Sequence, residues 1–214
     1  MNNGAHSNYE IHRENARKLF LGYDIEKIKD KFGLENDEAY LYLTYIGSRF
    51  RLNRENAVLE VEDRATGEYL LSDYNDALVL YDLLANSEDG AKPSGDLVQI
   101  QNLSRVQNAS SYAGEGIYER YGKEYSGREE ELLRACKALG GEPYGKGDVA
   151  MKIPFFQGIY FAISFWEADD EFPPVLNIYM DSNILHFIRY ETAWYAAGGL
   201  MNHIASICRD NKGS

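Results

Sequence analysis

Five carboxylates, Glu167, Asp169, Asp170, Glu171 and Asp181, fall in a stretch with no Lys or Arg between Lys152 and Arg189. Like charges crowded together disfavour their own ionised forms, so such a group either stays in water or is put to use. Several oxygen ligands on one turn suit a hard divalent cation, Mg²⁺ or Ca²⁺, with Asp169, Asp170 and Asp181 as the ligands. Two carboxyls whose pKa values are pushed apart can instead serve as general acid and base. That makes Glu167, Asp169, Asp170 and Glu171 candidate catalytic residues of a metal-assisted hydrolase. The spacing is not that of an EF-hand, which needs alternating acidic positions, a mid-loop glycine and a closing glutamate. A solvated turn balanced by arginines elsewhere, such as Arg49, Arg51 or Arg64, requires no function at all.

Aromatic residues offer a second kind of chemistry. The chain has 17 Tyr, 9 Phe and 2 Trp, enough for a large aromatic core or for an aromatic-walled cleft. Tyr118, Tyr121 and Tyr125 form one helical stripe, and Trp166 adjoins the acidic turn. Trp166, Tyr118 and Tyr121 are therefore the candidate ligand-binding residues, against the plainer reading of a stripe packed on the core. His203 and Cys208 lie on different helical faces, so no transition-metal set is expected. Gly140 and Gly141 close a helix, whereas a phosphate-binding loop opens one.

Composition narrows the partners. The net charge of −12 opposes contacts that neutralise phosphates, so neither nucleic acid nor an anionic membrane surface is expected. No apolar run reaches the length of a membrane span, and the N-terminus lacks the pattern of a secretory signal. Two distant cysteines, Cys136 and Cys208, fit a reducing cytoplasm.

The elements that must position these residues follow from periodicity. Ser7 and Glu10 read as a capping box opening a helix to about Leu21, with Ala16, Leu19, Phe20 and Tyr23 on its buried face. Asp24 caps a second helix that ends at Gly33. From Glu38 the period changes to two, and strands separated by polar turns at 53–56 and 65–67 form an antiparallel meander. A helix to about Asn86 follows, capped by Ser72 or Asp73, then a loop at 87–96 and a short strand from Leu97. Ser126 and Glu129 read as another capping box, opening a helix to Leu139. Ile159–Trp166 is apolar on both faces, as a central strand would be, and Val175–Met180 returns as its hairpin partner. A closing helix covers about 191–209, and Gly198-Gly199 within it predicts a close approach to the sheet.

The run Phe165–Pro174 (FWEADDEFPP), then Ile178–Ser182 (IYMDS) and Tyr190-Glu191 before the last helix, resembles the bacterial and archaeal family known as domain of unknown function 3786. The likeness extends over most of the chain, including the Gly33-to-Gly67 meander and Leu139-Gly140-Gly141; between Val98 and Gly116 the chain departs from the family's aromatic and Gly-Gly pattern. The resemblance implies an intracellular protein with no established activity, sometimes found beside iron-sulfur modules. This chain lacks cysteines for a cluster of its own, so any such link would run through a partner.

These readings converge on one α+β domain over residues 1–214, with a helical segment at 7–33 and sheet and helices at 38–209. The antiparallel sheet holds the meander and a central hairpin, with helices packed on it. The leading expectation is a non-enzymatic binding or accessory protein for a small molecule, cofactor or protein partner, using an aromatic-walled cleft near the acidic turn. The alternatives are the carboxylate-based hydrolase and a structural subunit of a complex.

Overall fold

The computed structural model describes residues 3–103 and 116–210. The meander is the first of two antiparallel sheets. Its strands β1 (Glu35–Asn36), β2 (Tyr40–Tyr45), β3 (Ser48–Asn53), β4 (Leu59–Glu62) and β5 (Tyr69–Leu71) lie side by side in sequence order. Leu41, Leu43, Tyr45, Phe50 and Leu52 point to the buried face, as the period of two requires. On the opposite face the Arg51 guanidinium lies between the rings of Tyr40 and Tyr69, at 4.2 and 4.1 Å, and its Nε donates to Glu60 at 2.7 Å. Arg49 pairs with Glu35, and Arg64 donates to the Gly47 carbonyl. These arginines thus serve the meander itself, and the expectation that they balance the acidic turn is corrected.

Three helices accompany this sheet. Helix α1 (Asn3–Phe20) begins ahead of Ser7, so the expected capping box does not open it, and of its predicted buried face Phe20 is buried while Leu19 is 75% exposed. Helix α2 (Ile25–Phe32) starts where Asp24 accepts from the amides of Glu26 and Lys27 and stops at Gly33, whose φ of +56° suits a residue without a side chain. Helix α3 (Tyr74–Asn86) is capped by Asp73, which accepts from the Asn75 amide, and buries Ala77, Leu80, Tyr81 and Leu84 as predicted.

The second sheet has the order β6 (Leu97–Gln99), β10 (Val175–Asp181), β9 (Ile159–Trp166), β8 (Val149–Phe156), β7 (Glu142–Pro143). The hairpin β9–β10 holds the register Trp166↔Val175 to Phe161↔Met180 and lies at the middle of this sheet. Meander and hairpin therefore belong to separate sheets, because β8, unforeseen in the sequence, takes the other edge of β9. Helix α4 (Gly116–Tyr125) crosses β10 so closely at Gly122 that a Cβ there would strike the Pro174 carbonyl. Helix α5 (Glu129–Ala138) has no side-chain cap at its start, since the Ser126 hydroxyl is directed elsewhere.

The chain forms two compact units, one from the chain up to Ala91 with His186–Gly199, the other from Lys92–Leu185 with the chain from Leu200 onward. The closing helix α6 (Tyr190–Asp210) gives its first half to one unit and its second half to the other. The close approach predicted at Gly198-Gly199 is made to α3 and Tyr45: a Cβ on Gly199 would lie 3.0 Å from Asp76 Oδ1 and 3.5 Å from Tyr45 Oη.

Candidate functional site

The carboxylates singled out by the sequence are dispersed. Glu167 accepts from the Ser126 hydroxyl and the Gly127 amide, each at 2.6 Å, and from the Ala168 amide at 2.8 Å. These donors, the Ser126 hydroxyl first among them, pull its pKa down to about 2. The residue clamps the end of β9 to the turn between α4 and α5. Asp169 folds back on the turn, accepting from the amides of Glu171 and Phe172 at 2.8 and 2.7 Å, while Asp170 and Glu171 stand in water.

Asp181 is buried at the far end of β10. There it accepts from the Ser94 amide and hydroxyl and from the amides of Gly95 and Asn183, at 2.9 to 3.0 Å. Strand β10 begins at Val175 beside the turn, and at about 3.3 Å per residue its two ends lie roughly 20 Å apart. Asp169, Asp170 and Asp181 therefore do not converge on one cation. Among the described residues no three His, Cys, Asp or Glu side chains form a group able to hold a metal ion.

The aromatic candidates also separate. Tyr121 is buried, with the Arg120 guanidinium 4.9 Å from its ring, so it belongs to the packing of α4. The side chain of Tyr118 lies outside the described residues. Trp166 is 45% exposed at the end of β9. An aromatic-walled cleft is present in the other unit.

That cleft runs between α1, α3 and the start of α6, with a volume of about 460 Å³. One wall is Leu19, Phe20 and Tyr23; the floor and far wall carry Tyr81, Asp82 and Tyr195. Helix α1 is held in place by an edge-on contact of Tyr9 with Tyr74 at 5.0 Å, by the Phe20–Tyr81 contact at 5.2 Å and by Arg17 donating to the Asn56 carbonyl. The Tyr81 hydroxyl donates to the Ala57 carbonyl at 2.7 Å, which fixes its ring.

The polar floor of the cleft is built on Asp82, whose side chain is 1% exposed. Its Oδ2 accepts from the Arg189 amide and its Oδ1 from Arg189 Nε, each at 2.8 Å, and the Asn86 side-chain amide donates to Oδ1 at 2.8 Å. A buried carboxylate with three donors and a cation is well compensated. Arg189 itself is 69% exposed and lines the cleft, with Glu191 nearby on the rim.

Sequence reasoning passed over Asp82 and Arg189. A signal was present: Asp82 sits in a helix that is apolar nearly all round, where an acidic side chain must find a cation.

The profile of a domain of unknown function, DUF3786, matches residues 24–203. The chain belongs to this family. The match includes α3, Arg189 and the cleft-lining start of α6, whereas α1 precedes it. No curated protein and no solved structure matches the sequence. Among the described residues no helix is long and apolar enough to cross a membrane.

Proposed function

We propose that this chain is a binding protein that holds a small molecule in the cleft between α1, α3 and the start of α6. The observation that carries this reading is an exposed guanidinium, fixed at its base by a buried carboxylate, set into an apolar and aromatic wall. Such a combination of apolar lining with few, well-held polar groups is the usual make-up of a ligand pocket, and the volume falls in the range of about 300–1,000 Å³ typical of such sites. Asp170 and Glu171 face water, and Asp169 and Glu167 are taken up by hydrogen bonds that hold the turn, which favours binding over hydrolysis.

A thermal-shift screen tests the reading, using flavins, nucleotides, folates, corrinoids and aromatic acids against the full chain. A ligand that binds only the folded state at a hundredfold excess over its Kd stabilises by about 2.7 kcal/mol. The response should disappear in Ala85→Trp, which fills the cleft with an indole. Silence across the whole panel, or an undiminished shift in that variant, rules the cleft out.

A further inference from the structure

Deepening the proposed binding function and resting on it, we infer that the ligand is a monoanionic carboxylic acid with a planar or apolar body. Its carboxylate would be read by the outer edge of Arg189. Asp82 engages only the main-chain N–H and Nε of Arg189. Among the described residues the two Nη atoms have no acceptor, so the end-on pair of N–H donors is open on an exposed side chain that lines the cleft. That pair is one of the two edges through which a guanidinium grips a planar oxyanion with two parallel hydrogen bonds. Because the other edge is tethered to a buried group, the fork is held before the ligand arrives and loses little freedom on binding.

Charge selects between oxyanions. Asp82 already offsets Arg189, and Glu191 on the rim leaves the cleft with one net negative charge in a chain of net −12. A carboxylate adds one further negative charge and matches the fork; a phosphate monoester near neutral pH adds closer to two against Asp82 and Glu191. The body of the ligand would lie against Tyr23 and Tyr195, the exposed rings of the lining, with Leu19, the most exposed apolar side chain of the wall, gaining most from being covered.

Isothermal titration of the full chain with 4-biphenylacetate, 4-biphenylyl phosphate and 4-biphenylacetamide separates these points. The acetate should bind most tightly. In Arg189→Gln its affinity should fall about 10- to 100-fold, the loss expected for hydrogen bonds to a charged group, while the neutral amide binds both proteins alike. Arg189→Lys, which keeps a cation for Asp82 but lacks the fork, should lose nearly as much while retaining a native melting transition. Equal acetate binding by wild type and both variants overturns the role of Arg189 and leaves the cleft standing. Tighter binding of the phosphate overturns the monoanion class. If none of the three binds the wild-type chain while a ligand of the thermal-shift panel does, this inference falls and the cleft stands.

Discussion

Asp82 concentrates the residue-scale argument, because one buried carboxylate serves both stability and the proposed site. Replacing it with Asn keeps the shape but removes the charge that Arg189 and the Asn86 amide are arranged around. Hydrogen bonds to charged groups contribute about 1.5–3 kcal/mol, so Asp82→Asn should lower the unfolding free energy by about 2 kcal/mol in urea titrations. An unchanged urea midpoint would show that the pair is dispensable. The cysteines make the opposite case. Burial pushes the Cys136 thiol up to about 12, and Cys208 is buried with its Sγ directed at the Glu131 carbonyl at 3.7 Å. Thiolate is the reactive form, so both should be silent to a chromogenic disulfide reagent at pH 8 in the native chain and titrate fully in denaturant. Rapid native labelling of either would contradict their burial.

At the scale of elements, the acidic turn is a fastening between strand and helix. Glu167 ties β9 to the α4–α5 turn, and its carboxyl is drawn from the usual 4.5 to about 2 by the donors around it. A carboxyl with a lowered folded-state pKa contributes stability above its unfolded pKa and loses that contribution as pH falls through the folded one. The stability gap between wild type and Glu167→Gln should therefore be constant above about pH 5 and close between about 4.5 and 2, as read by denaturant unfolding at each pH. A gap that stays constant down to pH 2 would remove the clamp from the account. Gly122 fastens the other side of the same region, since α4 meets the Pro174 backbone with no room for a Cβ. Gly122→Ala gains helix propensity but must push the helix off the strand, and the expected net cost is about 1–3 kcal/mol by thermal unfolding.

For the whole molecule, α6 is the element on which both units draw. Ala193 and Ala196 are buried in its first half, Leu200, Met201, Ile204 and Cys208 in its second, and the two halves belong to different units. Ending the chain after Arg189 should therefore damage both units at once, seen as loss of near-ultraviolet circular dichroism and of a cooperative melting transition. A truncated chain that still melts cooperatively would mean that each unit is complete without the helix.

Local patterning was sufficient for most elements of this protein. Asp24 and Gly33 bound α2 because capping and left-handed termination depend on a few adjacent atoms. Alternation in β2 and two apolar faces in β9 identified a half-buried and a central strand, because side-chain period follows directly from backbone geometry. Family membership was legible in the turn and the strand after it. Other features needed the fold. Strand β8 escaped notice because its two-residue turn, Gln157-Gly158 with φ of +40° and +84°, lacks the Asn-Gly or Asp-Gly signature of such hairpins. Ser126 read as a helix cap until Glu167, distant in sequence, claimed its hydroxyl. The acidic residues looked like one group because they are neighbours along the chain. A strand separates Asp181 from the others, while Asp82 and Arg189, far apart in sequence, are joined by 2.8 Å hydrogen bonds. Sequence spacing determines faces and ends, which are local; convergence of charged groups depends on which distant segments the fold brings within hydrogen-bonding reach, and that the tertiary structure alone decided.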